Sequence, residues 1–203
     1  MTIKVEKFES EDQWLDARNG VITGTKAGNL VLKSGKGKKI GYYELLAERV
    51  AIPANGENVM DRGHRLEVEA IERFERETGK TVNKDLVMIR REDDPRIAYS
   101  PDGYMEDAPE DVEVKCLSSA RHIEAFLTQK IPNEYFEQIM QGFVVNDDLK
   151  TRYMVFYDPR MPKDFFYLTI NREGYAADIM YLRDLERETQ VELEEDEKKL
   201  TFN

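Results

Sequence analysis

The sequence predicts a mixed α/β layer structure in which a mixed β-sheet is flanked by helices, and three observations predict it. Apolar residues recur at helical spacing in the first part of the chain. Short β-rich runs separated by turns containing proline and glycine fill the middle. Helical segments then alternate with two longer β-rich runs toward the end. Such an order of elements is typical of helices packed against a sheet.

Length and composition favour one folding unit. With 203 residues, of which 40% are hydrophobic and 35% charged, the chain can bury one sizeable core and has little room for a second. We therefore predict a single domain over residues 1–203, with an acidic helix or tail at about 184–203. No stretch reaches the roughly 18 apolar residues of a membrane span, and the N-terminus lacks the apolar core of a signal peptide. We expect a cytoplasmic protein that binds no membrane.

Charge is distributed unevenly along the chain. The formal net charge of -11 argues against a protein that coats nucleic acid by bulk attraction, because phosphate binding needs concentrated lysine and arginine. Residues 26–39 nevertheless contain five lysines and no acid, whereas residues 184–199 contain eight acids and three bases. The acidic stretch is either a solvated helix face or tail, which is the simpler interpretation, or a segment that docks a partner.

Three helices are predicted in the first 80 residues, at 11–18, 42–50 and 61–78. The third has apolar residues spaced for one buried stripe, and Gly79 follows as its C-terminal cap. The stripe consists of Leu66, Ala70, Ile71 and Phe74.

The remaining elements follow from a change of period. Residues 85–90, 96–99 and 111–117 are predicted as short strands of a meander. Asn133 is predicted to cap a helix, and the runs TRYMVFY and DFFYLTI are predicted as strands on either side of the turn DPRMPK. A long final helix is expected to begin near Arg172.

The strand predicted at 111–117 brings a carboxylate and an ammonium group together. Side chains alternate faces along a strand, so Glu113 and Lys115 project to one side. The residues between and beside them point into the core; they are Val112, Val114 and Cys116. Asp102, in the turn SPDG, reaches the same edge if the strand before that turn pairs with this one.

Two carboxylates and a lysine around one small volume suit the hydrolysis of a phosphodiester. Mg²⁺ prefers oxygen ligands and takes one or two carboxylates together with phosphate oxygen and water. It lowers the pKa of a bound water, and a lysine can hold or deprotonate that water. The pattern alone leaves an alternative open, because an acidic chain often shows aspartate followed by ExK by chance. A surface ion pair on a strand would look the same.

Further motifs make the pattern more specific. They are RNGVITGT at residues 18–25, the helix with Gly63 and Glu67, SPDG, VEVKC, the helix with Tyr135 and Gln138, and YDPRM. In this order and at this spacing, the chain resembles the phage lambda exonuclease (YqaJ-type viral recombinase, or alkaline exonuclease) family over about residues 14–161.

The resemblance implies a restriction-endonuclease-like α/β fold with a PD-(D/E)xK core. It implies Mg²⁺-dependent digestion of one strand of linear double-stranded DNA from 5′ to 3′, which leaves a 3′ single-stranded tail for recombination. It also implies a homotrimeric ring, a single-strand annealing protein as partner, and a phage or prophage origin in a bacterial host.

The resemblance also implies roles for individual residues. Asp102, Glu113 and the backbone carbonyl of Val114 would bind a metal ion, and Lys115 would position or activate the water. Glu67 would reach a second metal ion or its waters, so two Mg²⁺ ions are expected, with Mn²⁺ as a substitute. From the residues alone, Glu67 could equally be a solvated acid on a charged helix.

Three further residues match the resemblance. Gln138 would lie beside the nucleophilic water, on the same helix face as Tyr135. Arg18 and Thr25 would bind the 5′-terminal phosphate, because a guanidinium and a hydroxyl both donate to phosphate oxygens. Thr25 stands where the family has serine, which keeps the donor and adds a methyl group.

Alternatives remain at the level of function. An endonuclease or a helicase-linked repair nuclease would use the same fold, although Cys116 is the only cysteine and cannot hold the iron-sulfur cluster of several helicase-linked relatives. A non-catalytic DNA-binding module would be expected to lack one of Asp102, Glu113 and Lys115. The loop SGKGKK lacks the spacing of a P-loop, so no nucleotide is expected. His64 is interpreted as solvent-facing or structural.

Overall fold

The computed structural model describes residues 10, 13, 38–51, 59–91, 93 and 97–200, except for the side chains of residues 59–64, 190 and 192–200. The motif at 18–25 therefore lies outside the described residues, and so does the predicted helix at 11–18 apart from Gln13. The α-helices in the described part are α1 (Ile40–Val50), α2 (Val59–Thr78), α3 (Ser119–Thr128), α4 (Phe136–Val145) and α5 (Ala176–Leu200). Short 3₁₀ turns, Asn133–Tyr135 and Arg172–Tyr175, precede α4 and α5.

The strands form two separate sheets. They are β1 (Ile89–Arg90), β2 (Ala98–Tyr99), β3 (Gly103–Tyr104), β4 (Glu110–Lys115), β5 (Thr151–Tyr157) and β6 (Phe165–Asn171). β1 and β2 pair with each other, and the larger sheet has the order β3-β4-β5-β6. The β4–β5 pair is parallel and the other two pairs are antiparallel. Because a parallel pair needs a crossover, the chain passes through α3 and α4 between β4 and β5. The predicted mixed sheet with flanking helices is confirmed.

Helices cover both faces of this sheet. Along β5, Tyr153 and Val155 pack with α2, whereas Met154 and Phe156 pack with α4 and α5. This alternation with a period of two divides the core into two layers. The predicted stripe of α2 is confirmed, since its four apolar side chains are at most 4% exposed. Among the described residues, no helix is both long and apolar enough to cross a membrane.

The end of α2 also follows the sequence. Gly79 has a φ of +71°, and its N–H donates to the carbonyl of Glu75 over 2.8 Å. A left-handed residue after the last turn satisfies a carbonyl that the helix leaves free, and glycine adopts this conformation without steric cost. The predicted cap is confirmed.

The pairing of the short strands differs from the prediction. The strand ending at Tyr99 pairs with β1 and not with β4, and the two-residue strand β3 pairs with β4 instead. Pro101 separates β2 from β3 and cannot donate to a ladder, so the chain changes sheets at this turn. The predicted strand at 85–90 is confirmed only at its last two residues. Leu86 and Met88 are exposed, so no core supports pairing there.

One helix prediction was wrong, and one helix was not predicted. Asn133 does not cap α4, because it begins a 3₁₀ turn and α4 starts three residues later without a side-chain cap. The helix α3 was not predicted, although Ser118 caps it by accepting a hydrogen bond from the Arg121 N–H. Its buried side chains include Ala120 and Ile123, which are three residues apart. A serine followed by this spacing was an available helix signal.

Candidate active site

The strand β4 presents two charged side chains on the face that α4 covers. Val112 and Val114 pack with α2, so Glu113 and Lys115 point the other way, as the strand periodicity predicts. The Lys115 ammonium donates to Glu113 Oε1 over 2.7 Å. Glu113 is only 2% exposed, so its carboxylate lies in the interior and not on a solvated surface. This burial argues against a simple surface ion pair.

Asp102 is fixed at the edge of β4 by two backbone contacts. Its N–H donates to the carbonyl of Val112 over 3.1 Å, and its Oδ2 accepts from the N–H of Val114 over 2.7 Å. The N–H and C=O of one strand residue point to the same side. The carbonyl of Val114 therefore also faces Asp102, which leaves it on the same side as the candidate carboxylates.

The beginning of α4 closes the site from above. Gln138 Nε2 donates to Glu113 Oε1 over 2.6 Å, and the Lys115 ammonium lies 4.9 Å from the centroid of the Tyr135 ring. Tyr135 belongs to the 3₁₀ turn, and both side chains still reach the same region. The Glu113 carboxylate thus receives one donor from β4 and one from α4.

Burial and like charges shape the electrostatics of the two carboxyl groups. Burial raises the pKa of Asp102 above its ordinary value, and the negative charge of Glu67 raises it further. The hydrogen bond from the Val114 N–H and the positive charge of Lys115 lower this pKa, but they do not offset the increase. Burial also raises the pKa of Glu113, and the negative charge of Asp102 raises it further. The positive charges of Lys115 and Arg152 lower it by less. The negative charges of this site are therefore only partly compensated by the protein.

Glu67 lies on α2 and is half-buried. Its negative charge is close enough to Asp102 to raise the pKa of that carboxyl group. The structure therefore brings Asp102, Glu113, Lys115 and Gln138 together, with Glu67 at their margin. Arg18 and Thr25 lie outside the described residues, and the side chain of His64 does as well.

The donor set fits a divalent cation of the magnesium type. Asp102 and Glu113 are partly desolvated carboxylates that repel each other, and a cation between them would relieve both costs. In the part of the chain that the structure describes, no three His, Cys, Asp or Glu side chains converge as a metal cage. Mg²⁺ is usually held by one or two carboxylates and completes its shell with water and substrate oxygens, so Asp102 and Glu113 are side chains of the kind that could hold such an ion.

Sequence reasoning missed Arg152, which contacts this site from the neighbouring strand β5. This side chain is 1% exposed and donates to Asp111 Oδ1 over 2.8 Å. A charged residue inside the apolar run of β5 was an available signal, because a buried charge is costly unless it is paired. The partner could not be read from the sequence, since Asp111 lies 41 residues away.

Comparisons with known proteins give the family and the fold of the chain. The profile of the YqaJ-like viral recombinase domain matches residues 13–148. The structure of LHK-Exo in complex with dAMP is 27% identical, with a TM-score of 0.59 over 93% of this chain and 97% of that chain. The alkaline exonuclease LHK-Exo from Laribacter hongkongensis is 28% identical, with a TM-score of 0.57 over 94% of this chain and 100% of that chain. No curated protein sequence matches the chain at a comparable significance. The chain belongs to the YqaJ-like viral recombinase family, and its mixed α/β structure has the restriction-endonuclease-like fold that the resemblance implied.

Proposed function

We propose that this protein is a Mg²⁺-dependent exonuclease that digests the 5′-ended strand of linear double-stranded DNA and leaves a 3′ single-stranded tail. Its family and its likeness to alkaline exonucleases support the exonuclease class. The single observation that carries the proposal is the cluster that the buried Glu113 forms with the partly buried Asp102 and Lys115, beneath Gln138.

The metal would be held by Asp102, Glu113 and the Val114 carbonyl, with Glu67 near a second ion. When bound, Mg²⁺ supplies Lewis acidity to the scissile phosphate and lowers the pKa of an attacking water. Two ions and replacement by Mn²⁺ belong to the same proposal. Burial of the carboxylates strengthens their attraction for a cation, because the surrounding dielectric constant is low.

Lys115 and Gln138 are the groups that would handle the water. Both donate to the same Glu113 oxygen, so a water near that oxygen would be within reach of an ammonium and an amide. The lysine ammonium can donate a hydrogen bond to the water, and the amide carbonyl of the glutamine can accept a hydrogen bond from it. Together they would fix the direction of attack on phosphorus.

Arg18 and Thr25 would select the 5′ end. A guanidinium binds a terminal phosphate with two parallel hydrogen bonds, and a hydroxyl adds a third donor. Recognition of the terminal phosphate would explain an exonuclease that starts at ends. Replacing Arg18 by alanine should therefore reduce the preference for 5′-phosphate over 5′-hydroxyl ends, and an unchanged ratio would remove this role.

The experiment that tests the proposal is digestion of linear duplex DNA with a 5′-phosphate on one strand, with Mg²⁺, beside a closed circular duplex. We expect ordered loss of the phosphorylated strand and an intact circle. EDTA should stop the reaction, and added Mg²⁺ or Mn²⁺ should restore it. Cutting of the circle would indicate an endonuclease with the same site, and metal-independent binding without cleavage would indicate a non-catalytic module.

The assembly and the partner rest on family membership alone. We propose a homotrimeric ring around DNA, a single-strand annealing protein that receives the 3′ tail, and a phage or prophage protein that acts in the bacterial cytoplasm. A ring would hold its substrate by topology, which would make the net charge of -11 tolerable. A light-scattering mass near 23.7 kDa would contradict the ring.

A further inference from the structure

The guanidinium of Arg152 lies between the sheet and α4, where the proposed chemistry gives it no task. It is the largest side chain that is fully buried among the described residues. Its position on β5 faces α4, because its neighbour Tyr153 packs on the α2 side. A buried guanidinium is retained at a high desolvation cost, so its contacts should account for it.

Those contacts join the elements of the site. Nε donates to Asp111 of β4, and Nη1 donates to the backbone carbonyls of Gln138 over 3.0 Å and of Ile139 over 2.7 Å. Nη2 lies 3.6 Å from Glu113 Oε2. One planar group therefore fixes the first turn of α4 relative to β4. These are the elements that place Gln138 over the Glu113 carboxylate.

Gly142 permits this close approach. It lies one turn after Gln138 on the face of α4 that meets the guanidinium, and a Cβ at this position would be 2.6 Å from Arg152 Cζ. Glycine within a helix is less favourable than alanine, because it loses more backbone freedom on folding. A glycine here is explained if the missing methyl group gives the guanidinium its space.

We propose that Arg152 is a positioning residue that sets the geometry between Gln138 and Glu113, and that Gly142 provides the space for it. The inference rests on the proposed function in assigning Gln138 and Glu113 to the active site. Arg152 itself touches neither DNA nor solvent, since it is 1% exposed. Its effect must pass through the two residues that it holds.

The test compares Arg152→Lys and Gly142→Ala with the control Gly174→Ala. Lysine keeps the charge and loses the planar fork that reaches several acceptors at once. Alanine at position 142 leaves the chemistry of the Arg152 side chain unchanged, but its methyl group displaces the guanidinium. At Gly174 a Cβ meets nothing within 4 Å. We expect kcat to fall about 100-fold in the first two variants, because small misplacements of reacting groups have effects of this size. KM for DNA ends should stay within about twofold, and the control should match the wild type.

A double-mutant cycle separates positioning from a general loss of stability. If Arg152 acts through Gln138, then Gly142→Ala should lower kcat little or not at all in a Gln138→Ala background. Effects that multiply in full would overturn the proposal, and so would a wild-type kcat in both single variants. Thermal unfolding of each variant fixes the folded fraction, and if Arg152→Lys does not fold, Gly142→Ala alone decides between these outcomes.

A measurement without turnover keeps this inference distinct from the proposed function. The side-chain NH₂ resonances of Gln138, assigned by their loss in Gln138→Ala, should shift in Gly142→Ala and in Arg152→Lys and stay unchanged in Gly174→Ala. Unchanged resonances in both test variants would refute the positioning role. Shifted resonances in a protein that cleaves no DNA would retain that role and reject the exonuclease.

Discussion

At the scale of single residues, Lys115 has the clearest expected effect on activity. Its ammonium lies between the Glu113 carboxylate and the Tyr135 ring, so it is oriented before substrate arrives. Replacement by alanine removes this donor and leaves Asp102 and Glu113 in place. We expect kcat to fall by about 10²–10⁴, the usual contribution of a group that handles a proton or a water, with DNA binding retained.

A matched lysine provides the control for this substitution. Lys150 is exposed and precedes β5 at the end of the sheet away from Lys115, because Thr151 pairs with Glu110. The Lys150→Ala variant should cleave at the wild-type rate. The comparison is made by steady-state kinetics and by DNA binding in Ca²⁺; equal activity of the two variants would remove Lys115 from the proposed chemistry.

His122 gives a prediction for stability against pH. Burial lowers the pKa of this imidazole below 6.5, and the positive charge of Arg160 lowers it further. The hydrogen bond to the Lys163 carbonyl and the negative charges of Asp158 and Asp164 raise the pKa by less. Below pH 6.5 the unfolded chain therefore binds more protons at this position than the folded chain does. The free energy of unfolding should fall by up to about 1.4 kcal/mol for each pH unit below 6.5 until the folded imidazole is protonated.

The measurement compares wild type with His122→Gln by urea unfolding at pH 7.5 and pH 5.0. Glutamine keeps an N–H donor for the Lys163 carbonyl, which His122 Nε2 contacts over 2.8 Å. Carboxyl groups titrate in both proteins, so their contribution cancels in the difference. The wild type should lose more stability than the variant between the two pH values. Equal losses would mean that His122 is not held neutral.

At the scale of elements, the end of α2 can be tested without disturbing any packing. Gly79 has a positive φ, and a Cβ there would meet no atom within 4 Å, so only the backbone conformation opposes a side chain. We expect Gly79→Ala to lower the free energy of unfolding by about 1–2 kcal/mol and Gly79→Asn to lower it less, since asparagine tolerates the left-handed region. Gly174→Ala, at a glycine without a positive φ, is the control in the same denaturation series. A loss of the same size at Gly174 would contradict this reason.

The elements also show what the sequence could and could not predict. The stripe of α2 and the opposite faces of Val114 and Glu113 depend on local period, so they were predictable. The exchange of partners between β2 and β3 depends on which core each two-residue strand enters. A strand of two residues is too short to show a pattern of alternating apolar residues. The contacts of Arg152 join segments far apart in the chain, and only the folded structure brings them together.

The candidate site also contains residues that the sequence predicts and a contact that it does not. The motifs SPDG and VEVKC indicated Asp102, Glu113 and Lys115, and the structure places them together. The contact between Gln138 and Glu113 requires the crossover that lays α4 over β4. Spacing along the chain could place Gln138 on a helix face, and only the resemblance connected that face with the carboxylates.

At the scale of the whole molecule, the site is expected to reduce stability when no metal is bound. Glu113 is buried and Asp102 is partly buried, and their negative charges repel each other, which is a cost that function imposes on the fold. A cation that binds only the folded state adds stability that grows with the logarithm of its concentration above Kd. The thermal midpoint of the wild type should therefore rise with Mg²⁺ or Mn²⁺ in the absence of DNA.

The variant Asp102→Asn separates the stability cost of the carboxylate charge from the stabilisation by a bound cation. The amide oxygen can still accept from the Val114 N–H, so the backbone contact survives while the charge is removed. We expect this variant to unfold at a higher temperature than wild type in EDTA and to gain little from Mg²⁺. The control Asp148→Asn changes an exposed carboxylate and should keep the metal response of the wild type. A wild-type response to Mg²⁺ in Asp102→Asn would show that the ion binds elsewhere, because removing a charged ligand must weaken a site that has only two or three protein carboxylates.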